Sequence, residues 1–252
     1  MRSRAMLCAS MMLLALTGCS DRSDDPVVVE ETRTPETSCG THSPLDIVDH
    51  GWSALPGDDD LVQISFGAVV ENTSASTTVG YGGTVEVTFL DESGRQLGYG
   101  DGSEPETAQI FTFKELHPAA VVAVSGMALM SQPPAEVAFD ATGACTQDPE
   151  TVARGVITVH SAEVTVEGDE LSASMKIEST YEEPTNGLVV LLFRDGDGDI
   201  VGGGPYQGMS GNGAEIGPVS PGSSTAEVTV DIAGFLPDDA DLDETDLYIV
   251  RR

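Results

Sequence analysis

Residues 171–178 read Leu171-Ser172-Ala173-Ser174-Met175-Lys176-Ile177-Glu178, with apolar and polar side chains in strict alternation. A period of two sends successive side chains to opposite faces of a pleated ribbon, so this stretch predicts a strand with one face on a core and one in water. The same pattern recurs on both sides of it. Downstream, Ala226, Val228, Val230 and Ile232 alternate with Thr225, Glu227, Thr229 and Asp231. Upstream, Val62, Ile64, Phe66, Ala68 and Val70 alternate with Gln63, Ser65 and Gly67, and Val85, Val87 and Phe89 alternate with Thr84, Glu86 and Thr88. These are expected to be half-buried antiparallel strands. Leu188 to Phe193 is continuously apolar, which suits a strand covered on both faces or standing at a domain contact. The apolar content of Ala119 to Met130 would also suit a helix, but its valines and Gly126 favour a strand. With 28 Gly, 14 Pro and only 5% aromatic residues, the composition agrees with a turn-rich, all-β protein of short strands and lean cores.

Beyond Cys39 the chain repeats itself. Ile47-Val48-Asp49-His50 and the acidic turn Asp58-Asp59-Asp60-Leu61 return as Ile157-Thr158-Val159-His160 and Gly168-Asp169-Glu170-Leu171. Val70-Glu71-Asn72-Thr73 returns as Ile177-Glu178-Ser179-Thr180, and Val85 to Gly94 returns as Val189 to Gly198. The reading is a tandem duplication, with β-sandwich domains over 39–149 and 152–252. Gly67-Ala68-Val69-Val70-Glu71-Asn72-Thr73-Ser74, then Val87-Thr88-Phe89-Leu90-Asp91-Glu92-Ser93-Gly94 and Leu97-Gly98, resemble the small immunoglobulin-like FxLYD-type domains of prokaryotic surface lipoproteins. Those domains carry a V-x-N-x-S strand end and an F-x-D-x-x-G hairpin. The second copy departs from the first motif at Ser179, where Asn would stand. The resemblance implies an immunoglobulin-like sandwich and a non-catalytic role, and it brings no catalytic residues.

The charge balance narrows the function classes. Eleven Lys and Arg stand against 42 Asp and Glu, a formal charge of −31. Neutralising a phosphate backbone needs clustered cations, so nucleic acid is excluded as a partner. Residues 1–18 read as a signal peptide: Arg2 and Arg4 precede an uncharged, largely apolar run from Ala5 to Leu16, too short to span a bilayer. Leu16-Thr17-Gly18-Cys19 resembles the lipobox of bacterial lipoproteins. That likeness implies cleavage before Cys19 and a diacylglycerol on its sulfur, which becomes the membrane anchor at the extracytoplasmic face, on the cell surface or in the periplasm. The mature chain would then carry −33, and an anionic leaflet would repel its acidic body. Residues 19–38, rich in Asp, Glu, Ser, Thr and Pro, read as a disordered tether.

Two cysteines remain beyond the tether, Cys39 and Cys145, about 105 residues apart. In an oxidising compartment they are expected to form a disulfide clasping the first domain. Asp195-Gly196-Asp197-Gly198-Asp199 has two readings. Asp and Gly are what a hairpin turn prefers, while alternating carboxylates on Asp195, Asp197 and Asp199 would make a weak calcium site. The helix-flanked calcium loop does not fit, because Ile200 stands at its sixth position and Tyr206 at its twelfth. The acidic run Pro237 to Asp246 reads as a solvated loop before a last strand, Leu247 to Val250. His117, Met127 and Met130 offer imidazole and thioether to a cuprous ion, but methionines on a strand are expected to pack a core. His50 and His160, at one strand position in both copies, suit packing or a strand edge. Trp52 is expected to cover the edge of the first core. No G-x-S-x-G or H-E-x-x-H string occurs. The expectation is therefore a non-catalytic, lipid-anchored binding or scaffold protein for an envelope protein or polymer, without a cofactor. The alternatives are a calcium-dependent adhesion or assembly module and a cell-envelope hydrolase.

Overall fold

The computed structural model describes residues 43–57, 61–80, 83–100, 106–113, 115–143, 145–146, 155–168, 170–204, 214–231 and 236–251, and among them there is no helix. The first half supplies β1 (Leu45–Pro56), β2 (Val62–Asn72), β3 (Thr78–Val79), β4 (Gly83–Leu90), β5 (Ala108–Phe113), β6 (Val121–Met130), β7 (Glu136–Thr142) and β8 (Cys145–Thr146). The second supplies β9 (Ile157–Glu167), β10 (Glu170–Ser179), β11 (Thr185–Arg194), β12 (Ile200–Gly204), β13 (Ala214–Val219), β14 (Gly222–Asp231) and β15 (Asp241–Arg251). All pairings are antiparallel.

The halves share one pairing order. In the first, β1-β2-β6 form one sheet and β5-β4-β7 the other; in the second, β9-β10-β14 and β13-β11-β15 correspond, with β12 pairing the far end of β11. The stretch after β4 does the same more weakly, through the bridge Leu90 to Gln96 and the bond from Leu97 N–H to the Phe89 carbonyl. The two hairpin turns at these points match atom for atom. Asp91 N–H donates to the Arg95 carbonyl at 2.9 Å and Asp195 N–H to the Asp199 carbonyl at 3.0 Å. Gly94 and Gly198 close the turns at φ 76° and 88°, a conformation that costs glycine little.

Each half has its own apolar core. Ile64, Phe66, Ala68 and Val70 of β2 face Val85, Val87 and Phe89 of β4, and Phe66 meets Phe89, Phe111 and Phe139 edge to face at 5.8–6.1 Å. Leu171, Ala173, Met175 and Ile177 of β10 face Val189, Leu191 and Phe193 of β11. Full burial of such side chains contributes about 1.5–3 kcal/mol each. The outer face of β10, with Ser172, Ser174, Lys176 and Glu178, lies in water as its alternation predicts.

β2 departs from the expectation. Its second face does not meet water: Ser65 is fully buried, Gln63 nearly so, and Val69 joins Ala123, Val190, Leu192 and Ile200 in a third apolar cluster. Four sheets are therefore stacked, and β2 and β11 are the inner strands covered on both sides. The small residues permit a close approach. Ser65 Oγ accepts from Gly203 N–H at 3.1 Å, and Ser53 Oγ donates to the Val201 carbonyl. A Cβ on Gly67 would stand 2.5 Å from Leu192 Cδ2, and one on Gly203 would stand 2.6 Å from Ser125 Cβ. Arg194 of β11 completes the junction, donating to Asp49 of β1 and Asp246 of β15 at 2.7 Å each and to the Gly198 carbonyl at 2.6 Å. Burial alone would lower its pKa, and the two carboxylates more than offset this and raise it.

The last strand also differs from the sequence reading. β15 starts at Asp241, so only the first part of the acidic run is loop; Asp241 caps its own chain by accepting from Asp243 N–H at 3.0 Å. The segment that could have been helical is β6, as its valines predict.

Candidate binding cleft

Three chain segments far apart in sequence converge beside the junction. The turn His117–Ala120 leads into β6, residues 155–159 lead into β9, and Leu247–Arg251 ends β15. Between them lies a cavity of about 530 Å³, within the range of small-molecule sites. Its walls include Leu116, Val121, Val156, Ile157, Ile249 and Val250. Val121, at the start of β6, and Val156, just before β9, are 49% and 40% exposed.

Polar groups gather on one side. Arg251 Nη1 donates to Glu115 Oε1, and the guanidinium carbon lies 5.2 Å from the centre of the Tyr181 ring. The Glu115 side chain is only 5% exposed, so losing this partner would leave a buried group unpaired. Burial raises the Tyr181 phenol above its ordinary pKa, and the Arg251 charge works against that rise. Gly155 seats the ring, since a Cβ there would stand 2.5 Å from Tyr181 Cδ1. His117 Nε2 is buried without a hydrogen-bond partner among the described residues. Ala119 takes φ 56° at the third position of a turn in which Ala120 N–H donates to the His117 carbonyl, with Pro118 at the second.

The residues singled out from sequence lie elsewhere. Cys19 and Cys39 fall outside the described residues; Cys145 stands in β8 opposite Val79. Asp195 acts as a turn cap, its Oδ1 accepting from Asp197 and Asp199 N–H at 3.0 Å each. Among the described residues no three His, Cys, Asp or Glu side chains gather as a metal-holding group. With that oxygen engaged by two amides, millimolar calcium is expected to leave the thermal midpoint where EDTA leaves it; a shift of several degrees would establish the calcium reading instead.

Asp91 plays the same part in the first half. Its Oδ1 accepts from Ser93 Oγ at 2.6 Å and from Arg95 N–H at 3.0 Å, and Arg95 Nη2 reaches Oδ2 at 2.7 Å. The Ser93 hydroxyl, then the Arg95 amide and guanidinium, hold its pKa well below the usual carboxylate range. Because the folded value is depressed from about 3.9, the stability this group adds is present above that pH and lost only as pH falls through the folded value. A carboxyl-carbon NMR titration should find Asp91 still ionised where ordinary aspartates are half protonated, and an ordinary midpoint would contradict the turn geometry.

His117 lines the cleft, whereas Met130 lies in the first core at the opposite end of β6, roughly 30 Å away for a ten-residue strand. No copper cluster forms from the three. His50 packs edge to face on Phe139 at 5.3 Å, and His160 Nε2 lies 3.0 Å from Glu178 Oε2 on an exposed edge strand. Trp52, half-buried on β1, covers the first core as expected.

Fold and cleft together define an all-β protein of stacked antiparallel sheets with a cavity where three distant chain segments meet. No family model, curated protein or solved structure matches the chain.

Proposed function

We propose that this is a lipid-anchored, extracytoplasmic lipoprotein with a non-catalytic binding or scaffold role, presenting two tandem immunoglobulin-like sandwiches to an envelope protein or polymer. The observation that carries the reading is Leu16-Thr17-Gly18-Cys19 at the end of the apolar run Ala5 to Leu16. The shared pairing order of the halves and their matched Asp91 and Asp195 turns support the duplication within it. Two long acyl chains, at about 0.8 kcal/mol per buried CH₂, would hold the body at a bilayer through the tether.

Intact mass analysis of the chain recovered from a bacterial membrane fraction tests this. The expected product begins at Cys19 and carries a diacylglycerol, and Cys19→Ser releases the protein from the membrane. A mature chain that starts elsewhere, or a terminus without lipid, overturns the anchor. In the same sample, non-reducing peptide mapping should recover Cys39 joined to Cys145, and two free thiols would remove the bridge.

A further inference from the structure

Cations are scarce in this chain. Of the seven Lys and Arg beyond residue 38, Arg251 lines the cleft. Glu115 lines the cleft and is held by Arg251; the acidic residues that flank the lining segments in sequence are Glu182 and Asp246, and Asp246 is held by Arg194. A guanidinium has five N–H donors, so donors remain on Arg251 after Glu115 and Tyr181 are served. Aliphatic side chains also line the cleft, with Val121 and Val156 left open to solvent. A purely apolar ligand would leave the guanidinium edge unused, and a cationic one would be repelled by it.

We propose that this cleft is a small-molecule site for an aliphatic carboxylate, its hydrocarbon chain against Val121, Val156 and Ile249 and its carboxylate on Arg251. The inference goes beyond anchoring and presentation, because it assigns a ligand class to a cavity between the two halves.

The test uses the full chain carrying Cys19→Ser, so that no covalent acyl chain competes, titrated calorimetrically with sodium decanoate below its micelle concentration. Decanol and decyltrimethylammonium serve as chain-matched neutral and cationic probes. The expected result is one saturable site at which decanoate binds at least tenfold more tightly than either. Val156→Asp, at an exposed position, should keep the wild-type melting temperature and weaken decanoate at least tenfold. The paired variant Glu115→Met with Arg251→Met, which leaves no lone buried charge, should bind decanol and decanoate alike. No saturable site, equal binding of the cationic probe, or wild-type affinity in Val156→Asp overturns the proposal. Failure here leaves the mass analysis at Cys19 untouched, and a wild-type chain recovered from the membrane fraction without lipid would overturn only the anchor.

Discussion

Gly51→Ala is expected to lower the melting temperature by about 6–12 °C, the equivalent of about 3 kcal/mol for a body of this size. A Cβ at this position would overlap the Ile200 carbonyl oxygen and stand 3.1 Å from Ile200 Cβ. The obstacle is backbone of β12, which cannot swing aside as a side-chain tip can. The added methyl must therefore push β12 away from β1, and with it the bonds of Ser53 and Ser65 to Val201 and Gly203. Calorimetry should show the transition broadening as the two sandwiches lose their common seam. Gly217→Ala is the control, because nothing lies within 4 Å of its added carbon. If Gly51→Ala melts with the wild type, the close seating of β12 on the first half is wrong.

Asn72→Ala should cost about 3 kcal/mol in urea unfolding with an unchanged denaturant slope, at roughly 1 kcal/mol for each buried hydrogen bond lost. Asn72 is fully buried at the end of β2. Its Nδ2 donates to the Thr77 carbonyl at 2.8 Å and to the Leu116 carbonyl at 2.9 Å, and its Oδ1 accepts from Ser74 N–H at 3.1 Å. One side chain thus ties the loop between β2 and β3 to the segment that precedes β6. The second half has Ser179 in this place, buried with its Oγ unpartnered. Ser179→Ala is accordingly expected to be neutral or mildly stabilising. A loss below about 1 kcal/mol in Asn72→Ala would show that water replaces these bonds readily.

The alternation in β10 was legible because its outer face really is wet, and Leu188–Phe193 was legible because an unbroken apolar run has few other uses. β2 misleads for a physical reason. Gln63, Ser65 and Gly67 look like residues for water, yet small polar side chains are also what two backbones need in order to approach closely. Only the partner strand β12 decides between the two, and it is some 135 positions away. The acidic stretch misled similarly: charge suggested a loop, but Asp241 and Asp246 both pair with β11, with a register shift between them, and Asp246 meets Arg194. Of the cleft, no lining segment carries a motif of its own. The one trace in the sequence was Arg251, a rare cation in an acidic chain, which acquires meaning once three distant segments are seen to meet.

Because β2 is sheathed on both sides, the first half cannot reach its final state while the ribosome is still making the second. Ser65, Gly67, Val69 and Ser125 would wait uncovered until β11 and β12 have emerged. A nascent chain halted near residue 149 carries a vacant, partly apolar sheet face, a surface suited to aggregation or to a chaperone. Completion of the first half is thus timed by the carboxyl-terminal half.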